Sequence, residues 1–148
     1  MTNQGFTLIE LVLIIAIVSI ISAIAVVSYS GYIEASNQGK AISEITVMSL
    51  SITDFQLDNK RFPDSLNEVG LANMTDPWGN PYQYLNIESG NGNGQNRKDH
   101  NLVPLNSDFD LYSMGPDGSS ASPLTAASSR DDIIRANNGS YIGLASEY

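Results

Sequence analysis

From Leu11 to Ile33 the chain runs for 23 residues without a charged side chain. One helix of about 20 apolar residues crosses a bilayer, so this run is long enough to span it. The residue just before it, Glu10, is out of keeping with a simple anchor. An unpaired carboxylate near the start of a spanning helix costs roughly 2–3 kcal/mol or more. Buried charges persist when they are paired and hydrogen-bonded. Glu10 therefore asks for a positive partner inside an apolar environment. That is a requirement of a subunit in an assembly rather than of a tethered monomer.

The helix continues past the apolar run. Ile42, Ile45, Met48, Ile52 and Phe55 recur at spacings of three and four, which is a helical stripe. Val47, Leu50 and Leu57 are expected to widen that face. Gly31 and Gly39 weaken the helix without stopping it. The pattern ends near Asn59, and Pro63 cannot continue it. A helix from Phe6 to Asp58 would be about 80 Å long at 1.5 Å per residue. Its first half is apolar all round and its second half is amphipathic. This suits a helix that packs in a bundle at one end and carries a globular head at the other.

About 110 residues follow the apolar run, enough for one small domain with its own core. The net charge is −9 and the pI is near 4.2. Nucleic acid is therefore excluded as a natural partner, and a cation is favoured. There is no cysteine, so no disulfide braces the domain. The one histidine, His100, falls in a Gly/Asn-rich loop and reads as solvated surface. With no cysteine and no Ser-His-Asp set, nucleophilic catalysis has little material, and the chain reads as a non-enzyme.

Local signals divide the head. Lys60–Asn73 reads as a turn and a short helix, with Asp64 or Ser65 as cap and Glu68 near the first turn. In Asp76-Pro77-Trp78-Gly79-Asn80-Pro81-Tyr82-Gln83-Tyr84-Leu85 a Pro/Gly turn leads into an alternating strand. Ser89–Asn101 is a polar loop and reads as a hairpin tip. Its Gly/Asn run lacks the strand–loop–helix frame of a phosphate cradle. Phe109–Ser113 reads as a second strand. Asn73-Met74-Thr75 and Asn138-Gly139-Ser140 have the pattern of glycosylation acceptors.

Gly5-Phe6-Thr7-Leu8-Ile9-Glu10 resembles the processing site of type IV pilins and type II secretion pseudopilins. The resemblance implies that a prepilin peptidase cuts between Gly5 and Phe6 and that the new Phe6 amine is methylated. Glu10 then matches the glutamate that pairs with a neighbouring subunit's terminal amine. The physics agrees, because a cleaved Phe6 supplies a cation near the depth of Glu10. The chain departs from that family at three places. Gln4 stands where Lys or Arg usually precedes the glycine, so the leader's only positive group is the Met1 amine. Val27 and Ser19 stand where proline and glycine are common. Without that proline the helix keeps its hydrogen-bond ladder.

The Asp-Pro-Trp-Gly-Asn-Pro-Tyr segment, together with Asp108–Gly118 and Arg130-Asp131-Asp132-Ile133-Ile134, resembles the major pseudopilin of type II secretion. In that family a long loop wraps a calcium ion. The resemblance implies carboxylate ligands from Asp117, Asp131 and Asp132 and backbone carbonyls over Leu111–Met114. Calcium takes six to eight such oxygens. The other reading makes these aspartates turn-formers and helix caps. Ser119–Ser129 departs from the family's usual loop.

Taken with the helix, the resemblance implies an α+β, pilin-like fold, a long N-terminal helix carrying a small antiparallel sheet. Residues 1–5 would be the leader, 6–33 the transmembrane and assembly helix, and 34–148 the head. The implied function is a structural subunit polymerising into a helical pseudopilus. Implied partners are copies of itself, the prepilin peptidase, an inner-membrane assembly platform and minor pseudopilins. The subunit would cross the inner membrane once before assembly and lie in a periplasmic or extracellular filament afterwards. The alternatives are a type IV pilus subunit and a membrane-anchored periplasmic binding domain.

Overall fold

The computed structural model describes residues 5–90, 94–100 and 102–148, and of residues 25–28 the backbone alone. Residues 1–4 of the expected leader, the side chain of Val27, and loop residues 91–93 and 101 lie outside the described residues. One helix, α1, runs over Leu8–Asn59. It ends where the stripe ends and begins two residues after Phe6. The chain divides into two compact units, Met1–Ser36 and Asn37–Tyr148.

In the first unit the large side chains of Leu8, Ile9, Leu11, Ile14, Ile17 and Ile21 are exposed. Its serine hydroxyls are satisfied locally: Ser19 donates to the Ile15 carbonyl and Ser22 to that of Val18, each at 2.7 Å. A helix in hydrocarbon must meet its own polar needs in this way. By length and composition α1 can cross a membrane.

In the second unit, four antiparallel strands form one sheet in the order β1-β2-β3-β4. They are β1 Gln83–Asn86, β2 Phe109–Ser113, β3 Ile133–Ala136 and β4 Tyr141–Leu144. Ala41, Ile45, Met48 and Ile52 of α1 pack with Leu66, Tyr82, Phe109, Leu111 and Ile133. Strand side chains alternate between faces, so Ile134 and Ala136 point away from α1 into a second cluster with Leu105, Leu124 and Ala145. The sheet is thus covered on both sides. The Tyr82 hydroxyl donates to Glu44 Oε2 at 2.6 Å and Tyr84 to the Pro63 carbonyl at 2.7 Å, tying the first strand region to α1 and the turn after it.

Val47, Leu50 and Leu57 do not widen the core face. All three are exposed. At 3.6 residues per turn they lie across the helix from Ile45 and Ile52. Ile52→Ala should therefore lower the unfolding free energy by about 2–5 kcal/mol, and Leu50→Ala by no more than about 0.5 kcal/mol. Denaturant titration of the two variants checks the assignment.

The short helix is a single 3₁₀ turn, Leu66–Val69, closed by Gly70 at φ 72°. Ser65 precedes it but makes no side-chain cap. Glu68 instead accepts from the Asp64 N–H at 2.8 Å and forms a two-pronged pair with Arg61 at 3.0 Å for each bond.

Two strands, β3 and β4, are additional to those expected. All four residues of β3 are buried, because both faces are covered, so no alternation shows in the sequence. The connection to β4 is a 3₁₀ turn, Asn137–Gly139, with Asn137 and Asn138 left-handed at φ 51° and 54°. The Asn138 side chain ties this turn to Ser107 in the loop before β2. Its Oδ1 accepts from the Ser107 N–H and its Nδ2 donates to Ser107 Oγ, both at 2.9 Å. The loop between β1 and β2 is more than a hairpin tip. Arg97, Leu105 and Asn106 within it are buried, and Lys98 forms a bridge with Pro123.

Candidate functional site

Thr7 immediately precedes α1, and Glu10 is the third residue of the helix. The Thr7 N–H donates to Glu10 Oε2 at 2.8 Å, and Thr7 Oγ1 donates to the same oxygen at 2.7 Å. The Glu10 N–H donates back to Thr7 Oγ1 at 3.3 Å. This reciprocal pair is a capping box. Its Thr-x-x-Glu spacing, Thr7 to Glu10, is the sequence signal for it. The box gives Glu10 a partner within its own chain. Among the described residues both contacts fall on Oε2 and none on Oε1. Phe6, the residue implied to carry the free amine, lies just outside the helix and is exposed. Gly5, on the other side of the implied cut, has open space where a Cβ would stand.

The two turn motifs of the head interlock. Asp76 Oδ1 accepts from the N–H groups of Trp78 and Asn80 at 3.1 and 2.8 Å, which fixes the first turn. Asp76 Oδ2 accepts from Ser113 Oγ at 2.5 Å, and Ser113 Oγ accepts from the Gly115 N–H at 3.0 Å. Asn80 Nδ2 donates to the Gly115 carbonyl at 2.8 Å. Residues 35 apart in sequence thus form one polar unit, and Asp76 and Ser113 within it are buried. Burial strengthens such bonds and makes a missing one costly.

Asp131 closes on the second turn. A Cβ at Gly115 would stand 2.4 Å from the Asp131 carbonyl. Asp131 Oδ2 accepts a long 3.4 Å contact from the Asp117 N–H. Asp117 and Asp131 are therefore neighbours. Asp132 turns elsewhere: its fully buried Oδ2 accepts from Arg97 Nη2 at 2.6 Å and from Ser120 Oγ at 2.6 Å. Burial pushes this carboxyl up to about 6, against the opposing pull of Ser120 and Arg97. Leu111 sits within the β1–β2 ladder opposite Tyr84, and Met114 follows the end of β2. Among the described residues no group of three or more His, Cys, Asp or Glu is arranged to hold a metal. His100 is exposed and bonded to its neighbour Asp99 at 2.7 Å.

Comparison with known proteins finds both a family motif and curated relatives. Residues 1–26 match the prokaryotic N-terminal methylation motif. The type II secretion system core protein G of Aeromonas hydrophila is 30% identical, over 78% of this chain and 85% of that protein. Its counterpart in Pectobacterium carotovorum subsp. carotovorum is 28% identical, over 78% of each chain. A fimbrial protein of Neisseria meningitidis is 32% identical over 60% of this chain and 52% of its own length. No solved structure matches the chain significantly. The methylation motif, the long apolar helix with its sheet-bearing head and the similarity over 78% of the chain converge: the chain belongs to the family of the type II secretion system core protein G, the major pseudopilins.

Proposed function

We propose that this chain is a structural, non-catalytic subunit that polymerises through α1 into a pseudopilus of the type II secretion kind. The observation carrying this reading is Glu10, a carboxylate in the first turn of a helix whose large apolar side chains are exposed. Among the described residues both of its side-chain contacts fall on one oxygen, Oε2, and the other would take a donor from a neighbouring subunit. A prepilin peptidase would cut before Phe6, and the methylated amine of one copy would meet Glu10 of the next. Before assembly, the capping box supplies Glu10 with bonds that lower the cost of holding it in a membrane. The assembly platform and minor pseudopilins would act on the same helix. A pseudopilus is favoured over a type IV pilus because the interlocked turns of the head are those resembling the secretion family, and the fimbrial relative matches less of the chain.

Replacing Gly5 tests this away from the head, because a Cβ there has no described neighbour within 4 Å. In cells that carry the peptidase and assembly machinery, Gly5→Leu should leave the chain full-length in the membrane fraction and abolish filaments. Wild-type filament yield from Gly5→Leu would contradict the proposal.

A further inference from the structure

The head has no cysteine, yet the loops before β2 and β3 are held against the sheet. The residue on which they converge is Arg97. Its N–H donates to Asp110 Oδ2 at 2.8 Å and its carbonyl accepts from the Leu105 N–H at 2.9 Å. Its Nη1 donates to Ser120 Oγ and, at 3.0 Å, to the Ala121 carbonyl. Its Nη2 donates to Asp132 Oδ2, and the guanidinium carbon Cζ lies 4.2 Å from the Tyr112 ring centre. The side chain is almost completely buried.

The oxygens around the guanidinium are a carboxylate, a hydroxyl and a backbone carbonyl. This is the donor set a hard cation such as calcium takes from a protein. Here a covalently attached cation fills it. We propose that Arg97 is the resident cation of the head, locking the loops to the sheet so that their order does not depend on a metal ion. The calcium expected from the family resemblance is short of ligands as a result. Asp132 is committed to Arg97, which leaves Asp117 and Asp131. Asp132 Oδ1 has no hydrogen-bond partner among the described residues. A dication there would sit beside a guanidinium already bonded to the same carboxylate, and like charges at that range repel. Bonding to several loop atoms at once is what a planar, multi-donor guanidinium does well and an ammonium does poorly.

Breaking a buried ion pair from one side strands the other charge, whereas neutralising both sides does not. The test uses the full chain in detergent, melted in millimolar calcium, in chelator, and in sodium chloride of matched ionic strength. Wild type should melt within about 1 °C in all three. Arg97→Met should melt roughly 10 °C or more lower. The Arg97→Met/Asp132→Asn double variant should recover at least half of that loss, and this comparison holds even if the single variant fails to fold. A calcium-specific rise of several degrees in wild type would overturn the proposal, since a ligand bound only by the folded state must raise its melting point. So would an Arg97→Met variant melting like wild type, or a double variant melting no higher than the single.

Discussion

Glu10→Ala should abolish filaments while leaving the chain in the membrane. Removing the carboxylate deletes an expensive group from an apolar helix, so insertion should be unchanged or better. In the assembled state the same change strands the neighbour's terminal amine. An unpaired charge in such a setting costs about 3–5 kcal/mol, and each 1.4 kcal/mol is about a factor of ten in association. The expected loss in assembly is therefore more than about 100-fold. The capping box adds a competing explanation, because Ala also removes the bonds from Thr7. Glu10→Gln separates the two. Glutamine serves in a capping box but carries no charge. Filament yield in sheared fractions should fall for both variants if charge pairing matters. If Glu10→Gln assembles like wild type while Glu10→Ala does not, the cap is the operative role.

Gly115→Ala should be the most damaging small substitution in the head. Gly115 has φ +64°, and a Cβ there would stand 2.4 Å from the Asp131 carbonyl, a backbone atom that cannot swing aside. The same glycine's carbonyl and N–H serve Asn80 and Ser113, so any shift also breaks the link between the two turns. The cost should be about 3 kcal/mol or more, combining left-handed strain with loss of a buried polar link. Gly70→Ala provides the contrast. Its φ is +72° with nothing within 4 Å of the added carbon, so it should cost only the backbone strain of about 1–2 kcal/mol. Thermal melts should show a lowering for Gly115→Ala of roughly 10 °C or more and a clearly smaller one for Gly70→Ala. Equal effects would mean that the contact with Asp131 is not tight.

The parts of this fold that were legible are those whose physics is local. The stripe from Ile42 to Phe55 and the stop before Pro63 locate the end of α1 at Asn59. The run Phe109–Ser113 gives β2 with its observed bounds. What was not legible depends on which face is covered. Val47, Leu50 and Leu57 are apolar and near the stripe, so periodicity alone draws them into the core, while the structure leaves them exposed. Ile133-Ile134-Arg135-Ala136 shows no alternation because a second layer covers the far face of the sheet. Asn137-Asn138-Gly139 between two apolar runs was the usable signal for that last hairpin, since such residues tolerate positive φ. At the candidate site, Gly5, Phe6 and Glu10 stand out by type and order. Asp117 and Asp131 do come together, but only the family resemblance, not their spacing, pointed to it. Arg97 is different. It lies in a polar loop 35 residues from Asp132, and no spacing rule connects them.

The most direct measurement of the central claim is the intact mass of this chain recovered from purified filaments. The account predicts a chain beginning at Phe6, five residues shorter than the full sequence and carrying one added methyl group at the new amine. Filaments built from chains that still begin at Met1 would contradict it, because an internal Phe6 amide has no charge with which to neutralise Glu10.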